Sequence, residues 1–383
     1  MRAETDRKDC TMDIRIPLMD LKQQYRALQQ DLQRELFRVL ERTNFILGDE
    51  VQKFEEEFAA FCEARYCVGL NSGTDAIQLS LHGLGIGPGD EVITTPYTYI
   101  ATLFAILRTG ATVKLADIEP ETATIDPAQI KRCITEKTKA IVPVHVYGHP
   151  ANMQEIGEIA AKHRLAIVED ACQAHGARAN GKRVGGIGSA GTFSFYPSKN
   201  LGAYGDAGAV VTNDKELYEK LLILRNQGDR SKYDHVLHGL NSRLDALQAA
   251  VLRVKLPHLD AWNKRRQKLA AIYNEELHGV VRFPRAAPWA MPVYHLYTIF
   301  TDRRKQLQDA LRENGIGTGI YYHKLCHLQP AFDGLNHLGY TAEDFPIGQK
   351  FCAENLALPL FPEMRDEDVT EVAAAVRAVF KAS

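Results

Sequence analysis

A single lysine lies within an apolar, glycine-rich stretch that reads FSFYPSKNLGAYGDAGAVV from Phe193 to Val211. The apolar runs on either side predict buried strands, and the turn between them would carry Lys199 away from water. Burial disfavours the ammonium form of a lysine, so its pKa falls and its neutral amine becomes a nucleophile. Such an amine is suited to attack on an aldehyde. Taken alone, a structural or solvated lysine remains an alternative.

The turn Asn71-Ser72-Gly73-Thr74-Asp75 follows one predicted strand and precedes a predicted helix. A Ser/Gly/Thr turn at the start of a helix presents free backbone N–H groups and the positive end of the helix dipole, which together suit a phosphate group. Ordinary N-capping by Ser72 or Thr74 is the alternative interpretation.

Two further side chains could bind a flat heteroaromatic ring. Asp170 ends the apolar run LAIVED, where its carboxylate could keep a pyridine nitrogen protonated. A protonated pyridine ring is the electron sink of pyridoxal 5′-phosphate (PLP) chemistry. Tyr99, in the loop TTPYTYIAT, could stack on the face of such a ring. A helix cap for Asp170 and simple packing for Tyr99 are the alternatives.

The elements that must position these groups alternate along the chain. Between residues 65 and 213, short apolar runs alternate with helix-length stretches, which predicts an α/β fold with a mostly parallel seven-stranded sheet covered on both faces. The predicted strands are Tyr66–Leu70, Glu91–Thr95, Thr112–Asp117, Ala140–Tyr147, Leu165–Asp170, Gly191–Tyr196 and Ala207–Thr212. Ligands of such sheets bind beyond the carboxyl ends of the strands, so the four features could meet there.

The chain has 383 residues, which is long for one core, so we expect two domains. We assign residues 1–250 to an N-terminal segment and a large PLP-binding domain, and residues 251–383 to a smaller α+β C-terminal domain. A helical pattern over Ser242–Leu277 contains Pro257, which should kink or break that helix.

Composition excludes several classes of function. The net charge of −2 gives no reason to expect nucleic acid as a partner, and no apolar run is long enough to span a membrane. The first 17 residues are polar and lack the apolar core of a signal peptide. The seven cysteines are odd in number and form no paired CxxC units, so we expect no disulfide framework, no metal site and a cytoplasmic location.

Taken in order, these features resemble those of the DegT/DnrJ/EryC1/StrS sugar aminotransferases over nearly the whole chain. The motifs that carry the resemblance are NSGTDAIQL, GPGDEVI, PVHVYG, VEDACQAHGA, FSFYPSKNLGAYGDAGA and GLNSRLDALQAA. The resemblance implies the PLP-dependent transferase fold type I, which is the aspartate-aminotransferase-like fold. It also implies a PLP-dependent enzyme that passes through the pyridoxamine phosphate form of the cofactor.

The same resemblance implies a set of site residues, with Lys199 as the Schiff-base lysine and the base that moves the proton. The other cofactor contacts that it implies are Gly73, Thr74 and Ser194 for the phosphate, Tyr99 for the ring face, Asp170 for the ring nitrogen, Gln173 beside the ring hydroxyl, and Asn241, which reaches the phosphate from the other subunit. Each active site would therefore be shared, and the minimum assembly would be a homodimer.

The implied substrates are L-glutamate and a keto sugar nucleotide. We favour amination at C3 of a dTDP-3-keto-6-deoxyhexose, with UDP-2-acetamido-3-keto-glucuronate or amination at C4 of the sugar as alternatives. Lys232, Tyr233 and Tyr322 are expected to contact the sugar nucleotide. The basic loop that also contains Arg225 and Arg230 could hold its diphosphate, or could simply be solvated.

Two hypotheses of other kinds stay open. A non-catalytic regulator on the same fold would be favoured if Lys199 or Asp170 were absent, and both are present. A PLP-dependent decarboxylase or lyase would form no pyridoxamine phosphate with glutamate.

Overall fold

The computed structural model describes residues 14–332 and 338–381. The first 13 residues of the polar N-terminal stretch, including Cys10, lie outside this part of the chain. The helices are α1 (Leu21–Arg42), α2 (Asp49–Phe61), α3 (Gly73–Gly83), α4 (Ala101–Arg108), α5 (Pro127–Cys133), α6 (Met153–His163), α7 (Lys215–Leu224), α8 (Ala246–Lys255), α9 (Leu259–Glu276), α10 (Arg304–Glu313), α11 (Pro346–Glu354) and α12 (Asp366–Lys381). None of these described helices is both long and apolar enough to cross a membrane.

The strands follow the alternating pattern that the sequence predicts. They are β1 (Tyr66–Leu70), β2 (Glu91–Thr94), β3 (Thr112–Leu115), β4 (Thr138–Ile141), β5 (Ala166–Asp170), β6 (Arg178–Ala179), β7 (Lys182–Arg183), β8 (Ala190–Ser194), β9 (Gly208–Thr212), β10 (Asp229–Ser231), β11 (Asp234–His235), β12 (Ala290–Met291), β13 (Tyr297–Phe300) and β14 (Asn355–Leu358). Each of the seven strands predicted for the large sheet is present, in several cases one or more residues shorter than predicted.

The large sheet has the strand order β1–β9–β8–β5–β4–β2–β3. Strand β9 is antiparallel to both of its neighbours, and all other pairs are parallel. This confirms the mostly parallel seven-stranded sheet. Because β1, β5 and β8 run in the same direction, the turn after Leu70, the carboxylate of Asp170 and the segment after Ser194 all leave the sheet at one edge.

Both faces of the sheet are buried. Neighbouring residues of a strand point to opposite sides, and here both sets lie in a core cluster. Val92 packs in one core cluster and Ile93 in the other, and Ala140 and Ile141 divide in the same way. A parallel sheet needs such cover on both faces. The apolar runs that predicted the strands are therefore explained by two helical layers.

A third core cluster lies in the C-terminal part of the chain, between α9, α10, α12, β13 and β14. Its fully buried members include Tyr273, Ile299 and Val372. The break expected at Pro257 is confirmed, because a short 3₁₀ turn at Leu256–His258 separates α8 from α9. The domain boundary at residue 250 stays a prediction.

Aromatic packing holds the strand that leads to Lys199. The fully buried ring of Phe58, on α2, packs edge-on against Phe193 at 5.0 Å and Phe195 at 5.1 Å between ring centroids. Edge-on aromatic pairs stabilise a fold beyond the apolar area that they bury. Helix α2 thereby fixes the end of β8 and the residue that follows it, Phe195, which is four residues before Lys199.

We predict that Phe58→Ala lowers the free energy of unfolding by about 3–5 kcal/mol, because it leaves a cavity between α2 and β8. Urea denaturation of the cofactor-free protein measures this loss. Phe61→Ala is the matched control, since Phe61 lies on the same helix, is only partly buried and should cost less. Equal losses for the two variants would contradict the prediction.

Candidate active site

Lys199 lies in a tight turn that follows β8. Its backbone N–H donates to the carbonyl of Tyr196 at 2.8 Å, and the N–H of Ala203 closes the loop onto the carbonyl of Phe195 at 2.7 Å. Lys199 as a residue is partly exposed, whereas its amine lies in buried surroundings. Burial lowers the pKa of its amine, while Cys172 and Asp170 act in the opposite direction and favour the ammonium form.

Asp170 ends β5 and is buried. One of its carboxylate oxygens accepts from the hydroxyl of Thr102 at 2.8 Å, and the other accepts from the N–H of Cys172 at 3.2 Å. It forms no ion pair with any residue that the structure describes. The carboxylate is therefore held in place by neutral donors, and its negative charge is left for a cationic group nearby.

The Ser72 turn opens α3 beside this carboxylate. The hydroxyl of Ser72 accepts from the N–H of Asp75 at 3.1 Å and so caps the helix. The N–H groups of Gly73 and Thr74 have no hydrogen-bond partner among the described residues. A Cβ atom on Gly73 would lie 2.7 Å from both Cβ of Ser194 and Sγ of Cys172, so only glycine lets the turn approach β8 this closely. The start of α3 thus lies next to Ser194, and free N–H groups at a helix N-terminus suit an anion.

Gln173 and three tyrosine residues form a second part of the cluster. Gln173 is buried and accepts from the N–H of Tyr147 at 2.7 Å, while its amide donates to the hydroxyl of Tyr322 at 2.9 Å. The rings of Tyr99 and Tyr322 lie 6.2 Å apart, and Tyr99 is 59% exposed. The structure therefore brings Gln173, Tyr322 and Tyr99 together beside Asp170. Tyr99 is connected to Asp170 through the chain, because Thr102, three residues after Tyr99, donates to the Asp170 carboxylate.

Thr102 and Glu169 are two supporting residues that the sequence reasoning missed. Glu169 is completely buried and accepts from the N–H groups of Gly185, Ile187 and Gly188 at 2.6–2.8 Å. It precedes Asp170 and points to the other face of β5, because strand residues alternate. The pair of carboxylates in LAIVED was the signal for Glu169, whereas nothing in the sequence links Thr102 to Asp170.

Three predicted contacts are exposed in the single chain. Lys232 and Tyr233 are in the exposed β10–β11 hairpin, with Tyr233 83% exposed and the Lys232 amine 5.4 Å from its ring centroid. Asn241 is exposed as well. Its neighbour Ser242 donates to Oδ1 of Asn71 at 3.0 Å, so the backbone at Asn241 passes close to the Ser72 turn.

Arg225 does not contribute to the positive surface of that loop. It is buried, forms an ion pair with Glu55 and donates to the carbonyl of Gly69 at 3.1 Å. The expectation that Arg225 could hold a diphosphate is therefore wrong, because its charge is already neutralised inside the fold.

The cluster fits PLP by the chemistry of its groups. Among the described residues the carboxylate of Asp170 has no ion-pair partner, the Lys199 amine has a lowered pKa, and the N–H groups at the start of α3 lie where a Cβ on Gly73 would collide with Ser194 and Cys172. These suit a protonated pyridine nitrogen, an aldehyde and a phosphate, respectively. Within residues 14–332 and 338–381, no group of three or more His, Cys, Asp or Glu residues could hold a metal ion.

Comparison with known proteins gives matches over nearly the full length. Residues 26–377 match the DegT/DnrJ/EryC1/StrS aminotransferase family. A dTDP-3-amino-3,4,6-trideoxy-alpha-D-glucose transaminase from Streptomyces venezuelae is 47% identical over 378 residues, which cover 98% of this chain and 97% of that protein. A pleiotropic regulatory protein from Geobacillus stearothermophilus is 46% identical over 370 residues, which cover 96% and 99%.

Solved structures agree with the fold. DesV from S. venezuelae, crystallised with a ketimine intermediate, superposes with a TM-score of 0.92 at 47% identity and covers 95% of this chain and 98% of its own. NtdA from Bacillus subtilis, solved with bound cofactor PMP, gives a TM-score of 0.85 at 33% identity, with coverage of 93% and 82%.

We predict that Lys199 of the cofactor-free protein reacts with an amine-acylating reagent at a lower pH than the exposed Lys215 does. The reason is that burial lowers the pKa of Lys199, so its neutral form persists to lower pH. A pH series read by peptide mass spectrometry gives the two midpoints. Asp170→Asn should move the Lys199 midpoint further down, because it removes a charge that favours the ammonium form. A midpoint equal to that of Lys215, or one raised by Asp170→Asn, would disagree.

Proposed function

Because the chain belongs to the DegT/DnrJ/EryC1/StrS aminotransferase family, we propose that it transfers the amino group of L-glutamate to C3 of a dTDP-3-keto-6-deoxyhexose. It is a PLP-dependent aminotransferase with the aspartate-aminotransferase-like fold. The observation that carries the proposal is the Lys199 amine beside the uncompensated carboxylate of Asp170. The choice of sugar rests on the S. venezuelae transaminase, whose name specifies a dTDP-3-amino sugar.

Each group of the cluster has a defined task in this proposal. PLP, when bound, supplies an aldehyde for the amine and a ring that accepts electrons from the substrate carbon. Nζ of Lys199 takes the proton from Cα of the amino donor, and its lowered pKa increases the share of neutral amine that can act as the base. Asp170 holds a proton on the ring nitrogen, and Thr102 fixes the direction of that carboxylate.

The remaining groups of the cluster would hold the phosphate and the ring of the cofactor in place. The free N–H groups of Gly73 and Thr74, with the hydroxyl of Ser194, bind its phosphate. Tyr99 covers the ring face, and Gln173 contacts the ring hydroxyl. The hydroxyl of Tyr322 accepts a hydrogen bond from the Gln173 amide, and Tyr322 would contact the sugar nucleotide.

A second copy of the chain would complete the site. Asn241, Lys232 and Tyr233 are exposed, so in the proposal they reach the phosphate and the sugar nucleotide bound by the partner subunit. Exposed apolar residues on α1 support such a dimer, and one of them, Tyr25, lies beside Tyr204 of the Lys199 loop with 6.4 Å between the ring centroids. The exposed large residues on and just after α1 are Leu21, Tyr25, Phe37, Leu40, Phe45 and Ile46. An apolar patch of this kind is typical of a protein interface.

The division into two domains and the cytoplasmic location stay proposals. The third core cluster supports a separate C-terminal domain after residue 250. The unpaired state of the six cysteines in the described part of the chain is compatible with the proposed cytoplasmic location.

A panel of keto sugar nucleotides tests the substrate. We expect the PLP-loaded enzyme with L-glutamate to form a product amine, detected by mass spectrometry, only from dTDP-3-keto-6-deoxyglucose or its galactose epimer. The panel also contains dTDP-4-keto-6-deoxyglucose and UDP-2-acetamido-3-keto-glucuronate, from which we expect no amine.

Lys199→Ala should lower kcat about a thousandfold or more, because it removes the acid–base group. Lys215→Ala, an exposed lysine, is the control and should leave kcat unchanged.

Each other result of the panel has a definite meaning. Amination of the UDP-uronate or at C4 alone would keep the chemistry and replace the substrate. No amine from any sugar, together with a visible spectrum that glutamate does not change, would favour a non-catalytic regulator; the G. stearothermophilus relative is named a regulatory protein.

The shared site predicts complementation between two inactive variants. Lys199→Ala removes the amine, and Asn241→Asp places a negative charge where the partner's phosphate would bind. When both variants are co-expressed with different tags and the hybrid is purified on both tags, each dimer contains one intact site and should show about half of the wild-type activity. A hybrid no more active than the mean of the two single variants would rule out a shared site.

A further inference from the structure

A buried amide, Asn263 on α9, connects the two loops that carry the site. Its amide nitrogen donates to the carbonyl of His175 at 2.8 Å, in the loop that follows Asp170 and contains Gln173. Its amide oxygen accepts from the amide nitrogen of Asn200 at 2.9 Å. Asn200 is the residue directly after Lys199.

The orientation of both amides follows from their partners. The nitrogen of Asn200 also donates to the carbonyl of Val293 at 3.1 Å. A backbone carbonyl can only accept, so Val293 at one end and His175 at the other fix which atom of each amide is oxygen and which is nitrogen. The oxygen of Asn200 then faces Nδ1 of His295 at 3.3 Å, which must donate. No alternative arrangement of the two amides satisfies all four contacts.

The surroundings leave little room for adjustment. Asn200 and Asn263 are each only 4% exposed. Gly176 has a φ of +88°, and a Cβ there would lie 2.8 Å from the amide nitrogen of Asn263. The loop after β5 therefore turns through a conformation that favours glycine, next to the amide that holds it.

We propose that Asn263 is a positioning residue for transamination: through its two amide contacts it sets the separation of the Lys199 loop from the Asp170–Gln173 loop. The inference rests on the proposed roles of Lys199 and Asp170. Neither amide touches the cofactor or the substrate in this proposal. Their effect is to keep the amine and the carboxylate in one relative geometry while ligands enter and leave. An error of about 1 Å in such a geometry can cost about a hundredfold in rate.

The test compares Asn263→Ala with Asn274→Ala. Asn274 lies on the same helix and accepts from the hydroxyl of Tyr297 at 2.9 Å, away from the site loops. We expect Asn263→Ala to lower kcat by about tenfold to a hundredfold with KM for both substrates nearly unchanged. It should also shift the pH midpoint of the visible absorbance of the PLP-loaded protein, because the charged and polar neighbours of the amine move relative to it. These neighbours are Asp170, Cys172, His175 and His295.

Asn200→Ala removes the same amide–amide bond from the other side and is the second variant if Asn263→Ala does not fold. It should reproduce both effects, and the double variant should lose less than the product of the two single losses. The inference is overturned if the variants lower the melting temperature but match Asn274→Ala in kcat and in the absorbance midpoint. The PLP-loaded wild-type protein should show a visible absorbance that is lost in Lys199→Ala. If it does not, the proposed roles of the lysine and the aspartate fail, and this inference fails with them.

Discussion

The site depends on an amine and a carboxylate that lie close together without neutralising each other. Burial lowers the pKa of Lys199, and Asp170 acts against that shift. If the two formed an ion pair, the amine would stay protonated and the carboxylate would have no charge left for a ring nitrogen. The structure avoids this by giving the oxygens of Asp170 other donors, namely the hydroxyl of Thr102 and the N–H of Cys172.

Strand direction is what makes this arrangement possible. Since β5 and β8 are parallel neighbours, Asp170 and the Lys199 turn leave the sheet at the same edge. Glu169 anchors the loop between these strands from the opposite face, by accepting three backbone N–H groups. A buried carboxylate is costly unless it is fully hydrogen-bonded, so this segment has little freedom. The site is thus positioned by backbone geometry first and by side-chain contacts second.

The sequence predicted the parts of this structure that depend on local pattern. Alternating apolar runs located all seven strands of the sheet. The position of Asp170 at the end of one strand and of Lys199 after another was enough to place them at one edge. The contacts that depend on distant residues could not be predicted. Arg225 was assigned to a surface because its partner, Glu55, lies 170 positions away. Thr102 and Asn263 gave no signal, because an amide or hydroxyl on a helix resembles many others that face solvent.

The single chain leaves part of the site uncovered. Tyr99 is 59% exposed and Lys199 as a residue is partly exposed, although the proposed chemistry is favoured by a dry site. Exclusion of water strengthens every electrostatic interaction inside a pocket, including the opposing effects of burial and of Asp170 on the amine. A second copy that covers Tyr99 would therefore change the charge balance as well as close the pocket. In the proposed dimer, assembly and acid–base chemistry are for this reason coupled: the subunit that supplies Asn241 would also exclude the water that competes for the charges of Lys199 and Asp170.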